Sequence, residues 1–309
     1  MRYCLASKFQ GCLVGSILGE ALSSNCAPTT TLKIARYEPA SWLSFRSCLT
    51  EFLLDGGQFS SESLDWQCDR ESSVSSDRLC LLLLPLIIFS ADNLTLLAKS
   101  VLESNSYFDV EVEEIEDALI WGSAIALALK GEFSIEELIE RASTVVEVKQ
   151  NSLIAKLKVV KTVLQQNQTP SYTIEKLSSL GNPSQVAIAL SIYFGKFTFH
   201  NYDLAVRRAI NAKYRLDTTV ALTGALAGAY NSLTGIPIEW RIYAKNNVAC
   251  QKATVAAKKL FDAWCGVYLP SRVVADSSNL EEKYAIDSVA SVKTIKPRPG
   301  LNIISQTEY

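Results

Sequence analysis

A stripe of three glycines near the N-terminus constrains the fold more than any other feature of the sequence. Gly11, Gly15 and Gly19 are spaced four residues apart within an apolar segment, residues 6–22. In an α-helix this spacing places all three on one face. Each glycine inside a helix costs up to ~1 kcal/mol relative to alanine, so a compensating contact is expected. The sequence therefore predicts a helix whose glycine face lies close to another segment of backbone.

The rest of the chain to about residue 265 also has helical patterning. Apolar residues recur with a period of 3.6, whereas the alternation typical of strands hardly appears. A further helix is expected to open at the capping box of Ser134 and Glu137. The other predicted helices span residues 6–22, 41–53, 92–103, 109–130, 151–166, 184–197, 203–213, 218–234 and 246–265. We predict an all-α fold in a single domain, residues 1–268, followed by an extended or partly disordered tail, residues 269–309.

Composition excludes several classes of function. Apolar residues make up 48% of the chain, enough to bury a substantial core, and the formal net charge of −2 predicts no attraction to nucleic acid or anionic lipid. The uncharged stretch 218–238 carries too many polar residues for a membrane span. The eight cysteines form no CxxC pair and His200 is the only histidine, so a zinc site is not expected. Scattered cysteines of this kind are typical of reduced thiols in the cytoplasm.

The most informative stretch begins at Arg215. The segment Arg215-Leu216-Asp217-Thr218 opens a helix rich in alanine and glycine, and Gly235-Ile236-Pro237 closes it, with Trp240 following. This arrangement resembles the C-terminal signature of the ADP-ribosylglycohydrolase family, which includes the dinitrogenase-reductase-activating glycohydrolases. In that family the pattern is Gly-Gly-Asp-x-Asp-Thr, then an alanine/glycine helix, then Ile-Pro-x-x-Trp.

Other segments agree with this resemblance. Gly11 to Leu22 is similar to the family's opening Gly-x-x-x-Gly-Asp-Ala-Leu-Gly helix, with Glu20 in place of the aspartate. Arg78 to Phe89 is similar to its Arg-x-x-Pro-Leu helix. The resemblance covers residues 6–265. It implies the family's orthogonal bundle of α-helices and a hydrolase that uses two Mg²⁺ ions to remove ADP-ribose from modified side chains.

The sequence departs from the family at the metal ligands. The resemblance implies two sets, a Thr-Asp-Asp triplet early in the chain and Asp-x-Asp-Thr late in it. The place of the triplet, residues 40–42, has no carboxylate, and Arg215 replaces the first aspartate of the late motif. Only Asp217 and Thr218 remain as remnant metal ligands. Since a pair of dications needs several carboxylates, we expect no cofactor, with Mg²⁺ required only if the family activity survives.

Each of these residues also has a simpler interpretation. Asp217 is more simply interpreted as the N-cap of the helix that follows it. Arg215 is typical of a surface or ion-pair arginine, or it binds the phosphate of a ligand. Glu20 either faces solvent at a helix end or lines a ligand-binding cleft. The acidic run 109–117 is interpreted as a solvated helix start, or as a docking site for a basic partner.

The leading hypothesis is a degenerate family member that lacks the canonical hydrolysis. It would act by binding a protein partner or an ADP-ribose-like ligand, with no role for nucleic acid or membrane. One alternative is an active hydrolase in which metal-bound water attacks the anomeric carbon, with Asp217 and Thr218 as metal ligands. A third is a structural subunit that retains the fold as a scaffold in an assembly.

Overall fold

The computed structural model describes residues 4–23, 42–54, 74–104, 110–145, 151–198 and 200–267, and every regular element in these ranges is helical. The helices are α1 (Leu5–Ser23), α2 (Trp42–Leu54), α3 (Ser76–Leu82), α4 (Leu84–Phe89), α5 (Leu94–Ser104), α6 (Val112–Lys130), α7 (Ile135–Val145), α8 (Ser152–Gln165), α9 (Pro170–Ser178), α10 (Pro183–Phe197), α11 (Tyr202–Ala212), α12 (Leu216–Asn231), α13 (Ile238–Asn246) and α14 (Val248–Trp264), with a 3₁₀ turn at Leu233–Gly235. The predicted all-α class is confirmed. The predicted tail lies outside the described residues.

Local sequence signals explain where several helices begin and end. Glu111 and Glu114 form a reciprocal capping box at the start of α6, and Gly131, with φ 78°, ends that helix in the left-handed region. At the start of α8, the Asn151 side chain accepts hydrogen bonds from the backbone N–H groups of Leu153 and Ile154. The helix predicted to begin at residue 218 starts two residues earlier, and the sequence analysis missed α9 and α13.

The centre of the molecule is an antiparallel pair of helices, α1 and α12. A Cβ atom on Gly11 would overlap the carbonyl oxygen of Gly228, and one on Gly15 would overlap that of Gly224. Glycine therefore permits the two backbones to touch, as the stripe predicted. The buried hydroxyl of Tyr202, in α11, donates a hydrogen bond of 2.9 Å to the carbonyl oxygen of Gly15, beside this contact.

Other helices pack around α1 and α12. α12 also packs against α3, α6, α10 and α11, and α10 packs against α8. Nearly every residue in the middle of α6 and α10 is buried, so these two helices complete the apolar core. No helix in the described ranges is long and apolar enough to cross a membrane. The stretch at 218–238 instead forms the buried helix α12 and the turn after it.

We expect Gly224→Ala to destabilise the protein by ~3 kcal/mol, because the added methyl group would overlap backbone atoms of α1 and force the helices apart. Gly122→Ala is the matched control. Its Cβ would meet only side-chain atoms of Leu97 and Ile87, at 3.2 and 3.4 Å, and alanine favours the helix. Urea unfolding of both variants measures the difference. Equal effects at the two positions would contradict the proposed role of the backbone contact.

Candidate functional site

The site is built around the carboxylate of Asp77, the second residue of α3, whose side chain is 0% exposed. Arg215 donates from Nε to Oδ2 at 2.7 Å and from Nη2 to Oδ1 at 3.1 Å. The Thr218 hydroxyl donates to Oδ2 at 2.6 Å, and the Ser75 hydroxyl donates to Oδ1 at 2.7 Å. Both carboxylate oxygens are therefore occupied by donors from the chain itself, in a bidentate arrangement that suits a guanidinium.

A tight reversal of the chain brings Arg215 to this position. Lys213 ends α11 with φ 53°, and Arg215 is the N-cap of α12 with φ 34° and ψ 61°, both in the left-handed region. Residues other than glycine adopt this conformation at a cost of roughly 1 kcal/mol each. The ion pair with Asp77 helps to offset that cost, so the reversal and the ion pair support each other.

The environment of Asp77 keeps it ionised. Burial alone would raise the pKa of Asp77. The hydrogen bonds from Thr218 and Ser75, together with the charge and hydrogen bonds of Arg215, outweigh burial and hold the pKa below its ordinary value. The buried negative charge is therefore matched by a fixed positive one.

A second buried polar cluster lies beside the first, between α6, α8 and α10. Gln185 Nε2 donates to Glu113 Oε1 at 2.9 Å and to Asp117 Oδ1 at 3.3 Å, and Lys156 Nζ donates to Gln185 Oε1 at 2.9 Å. Burial raises the pKa of Asp117 to about 7, although hydrogen bonding from Ser76 and Gln185 and the charge of Lys156 oppose the rise. Two fully buried aspartates on neighbouring helices thus have pKa values shifted in opposite directions.

The structure brings together two of the four residues that the sequence singled out. Arg215 and Thr218 meet at Asp77, whereas Asp217 is exposed. The expectation that Asp217 is the N-cap of α12 is wrong. The helix begins one residue before it, so Arg215 occupies the cap position and Asp217 lies in the first turn. Glu20 is 8% exposed within α1, which overturns its interpretation as a solvent-facing helix end.

Sequence reasoning missed Asp77, Asp117, Gln185 and Lys156. The acidic run was expected to be solvated, but Glu116 and Asp117 are buried. One signal was present: Asp77 directly precedes Arg78 at the start of the most apolar run in the chain, where a carboxylate needs a partner. His200 lies exposed in a turn, with its ring against that of Tyr230.

The comparisons with known proteins agree with this architecture. The model of the family described as ADP-ribosylglycohydrolase matches residues 80–269, more than half of the chain. The chain belongs to the ADP-ribosylglycohydrolase family. It is also similar to a solved structure described as an "ADP-ribosylglycohydrolase-related protein complex", with a TM-score of 0.56 and 16% identity. That match covers 83% of this chain and 98% of the other, and at this identity it supports the fold alone. No curated protein matches the chain significantly.

The family implies magnesium, and a magnesium site needs several oxygen ligands that include carboxylates. Within the described ranges, no group of three or more His, Cys, Asp or Glu side chains is placed to hold a metal ion. Asp77 has both oxygens bound to donors, and Arg215 supplies a positive charge where a dication would need a negative one. The described residues of this part of the family site do not fit a magnesium ion.

Removing one partner of the buried pair tests its contribution. We expect Arg215→Gln to destabilise the protein by ~2 kcal/mol, because it leaves the Asp77 carboxylate buried without its cation. The double variant with Asp77→Asn should be less destabilised than the sum of the single variants by ~1 kcal/mol or more. Asp217→Asn, in the same turn but exposed, is the control and should change stability by less than ~0.5 kcal/mol. Additive effects of Arg215→Gln and Asp77→Asn in urea unfolding would contradict the pairing.

Asp117 makes stability depend on pH. Its pKa is raised from an ordinary 3.8 to about 7 in the folded protein, so the unfolded chain ionises first. The resulting stabilisation is complete below about pH 4 and is lost as the pH rises to about 7. Asp117→Asn removes this dependence. We expect wild type to lose stability relative to that variant between pH 5 and pH 8, as measured by urea unfolding. A constant difference across this range would contradict the assignment. Glu132→Gln, at an exposed position outside the cluster, serves as the control.

Proposed function

We propose that this chain is a binding or regulatory member of the ADP-ribosylglycohydrolase family that has no metal-dependent hydrolysis. The observation that carries the proposal is the ion pair between Arg215 and Asp77, with Thr218 bound to the same carboxylate. In the family pattern, the position of Arg215 is a metal-binding aspartate. A guanidinium there repels a dication and already neutralises the nearest buried carboxylate.

The same arrangement supports binding of an ADP-ribose-like ligand. The Arg215 side chain is 34% exposed, and its Nη1 makes no hydrogen bond within the described part of the chain. Asp77 fixes the orientation of the guanidinium, so little side-chain freedom is lost when a phosphate binds to the open edge. Arg215 would thus supply a permanent positive charge to the ligand in place of a bound cation. The exposed carboxylate of Asp217 lies in the same turn and repels a phosphate. The phosphate of the ligand would therefore contact Arg215 and stay away from Asp217.

Metal titration tests the first part of the proposal. We expect Mg²⁺ and Mn²⁺ at millimolar concentration to leave the melting temperature of wild type unchanged. A cation at a hundred times its dissociation constant would stabilise the protein by ~2.7 kcal/mol. Arg215→Asp restores the family's Asp-x-Asp-Thr pattern and frees Asp77, so this variant should be stabilised by Mn²⁺. Arg215→Gln breaks the pair without adding a carboxylate and should not respond. Stabilisation of wild type, with release of ADP-ribose from a modified peptide, would establish the active hydrolase instead.

Calorimetry with free ADP-ribose tests the second part. Wild type should bind it without added metal, and Arg215→Gln should weaken the binding roughly tenfold or more, since a charge-assisted hydrogen bond contributes about 1.5–3 kcal/mol. Asp217→Asn should bind at least as well as wild type. If wild type fails to bind ADP-ribose at millimolar concentration, the ligand-binding form of the proposal is wrong.

A further inference from the structure

The outer side of α14 carries two exposed valines. Val248 is 64% exposed and Val255 is 55% exposed. Together with Lys252 and Lys259 they are spaced three or four residues apart, so all four side chains lie on one side of the helix. We call these four residues the α14 face. The buried side of α14 packs against α1, α2 and α4, so neither that packing nor the modest helix propensity of valine explains valine at these two positions.

The α14 face is basic as well as apolar. The helix contains Lys252, Lys258 and Lys259, and Asp262 is its only acidic residue. All three lysines are exposed, and none forms an ion pair with a carboxylate of the described ranges. Exposed valines between unpaired ammonium groups are complementary to an apolar segment that carries carboxylates. The face is therefore suited to an acidic and apolar partner.

The chain turns back towards this face where α14 ends. Gly266 has a φ of 82°, in the left-handed region. The backbone N–H of Val267 donates to the carbonyl oxygen of Asp262 at 2.9 Å, and that of Gly266 donates to the carbonyl oxygen of Ala263 at 3.0 Å. These two bonds form a Schellman motif, which ends the helix and reverses the chain. Asp262 lies seven residues after Val255 and thus on the same side of α14, so the chain leaves the helix beside the α14 face.

The sequence after Val267, which lies outside the described ranges, is divided by charge. Residues 276–289 combine four carboxylates and several apolar side chains with a single basic residue, Lys283. The carboxylates belong to Asp276, Glu281, Glu282 and Asp287, and the apolar side chains to Leu280, Tyr284, Ala285, Ile286 and Val289. A basic group follows them, Lys293, Lys296 and Arg298. Residues 276–289 therefore have the composition that the α14 face requires.

Chain length allows residues 276–289 to reach the whole α14 face. Val248 and Asp262 are separated by about 21 Å along the helix, at the usual rise per residue. Residues 268–275 span up to about 26 Å when extended. The segment that follows them is therefore long enough to begin beside either end of the face.

We propose that residues 276–289 of this chain dock on the α14 face, with their apolar side chains against the two valines and their carboxylates beside the lysines. Exposed ion pairs are individually weak, and a face of four residues is far smaller than the interface of a stable complex between separate proteins. A tethered segment needs much less affinity, because its effective concentration is roughly millimolar. The tether therefore favours this segment over a second copy of the chain. The proposal does not depend on the function proposed for Arg215.

A carbodiimide tests the proposal on the whole chain of 309 residues, because it joins a carboxylate and an amine in direct contact as an amide and takes up the water released. The monomer is then isolated by size exclusion, and its peptides are mapped by mass spectrometry. We expect Glu281 or Glu282 to be linked to a lysine of α14 at least about fivefold faster than to Lys158, the factor that one exposed ion pair supplies at most. Lys158, exposed on α8, is the internal control. Equal rates at the two helices, links found only in dimers, or no link from this segment would overturn the proposal.

The valines test whether the contact is specific. Val248→Ser and Val255→Ser together remove the apolar contact but keep every lysine, so the links to α14 should form severalfold more slowly. Val112→Ser is the matched control, since Val112 is similarly exposed but lies at the start of α6. All three positions are on the surface, and circular dichroism checks that the variants fold. A rate that the valine pair leaves unchanged, or that Val112→Ser lowers equally, would refute docking on this face.

An exchange of charge gives a second check. Glu281→Lys and Glu282→Lys should abolish the links from these positions to α14. Adding Lys252→Glu and Lys259→Glu should restore the links with acid and amine exchanged, because the charges are again complementary. Failure of the combined variant to restore them would contradict the pairing of this segment with the α14 face.

Discussion

The backbone contact between α1 and α12 is the constraint on which the rest of the structure depends. Glycines on both helices remove the side chains that would hold the axes apart, and the Tyr202 hydroxyl bonds to the carbonyl of Gly15 beside the contact. Because a helix is stiff, fixing the middle of α12 also fixes its first turn. That turn carries Arg215 and Thr218 towards α3. The close packing of α1 against α12, more than one helical turn away, therefore determines the position of the polar site.

The polar residues of the site share a position along their helices. Asp77, Asp117, Lys156, Gln185 and Thr218 all lie within the first two turns, of α3, α6, α8, α10 and α12 respectively. Helix N-terminal ends carry partial positive charge, so carboxylates gathered among them are stabilised. Immediate partners then decide the charge of each carboxylate. Asp77 has a guanidinium and two hydroxyls, whereas the partners of Asp117 do not offset its burial, so the pKa values of the two groups shift in opposite directions.

The features of the fold that could be predicted from the sequence are those that local residue patterns determine. The glycine stripe implied a close backbone contact, and the acidic run 109–117 indicated the start of α6. Contacts between distant residues were not predictable in this way. Nothing in the spacing of Asp77 and Arg215, 138 residues apart, indicates that they pair. Asp217 was misassigned because aspartate is a good N-cap residue, but the left-handed reversal at Arg215 starts the helix earlier. The short helices α9 and α13 have few buried residues, so their periodicity was too weak to recognise.

A retained motif residue is weak evidence for a retained reaction. Thr218 stands where the family pattern has a threonine, which suggests a surviving metal ligand. In this structure the Thr218 hydroxyl donates to Asp77. Its oxygen keeps lone pairs that could bind a metal ion, but the positive guanidinium of Arg215 donates to the same carboxylate and would repel that ion. Arg215 neutralises the buried carboxylate of Asp77 without a metal ion, and Thr218 adds a second hydrogen-bond donor to the same oxygen. The two residues are therefore explained together by one carboxylate, Asp77, and neither requires a cation to be present.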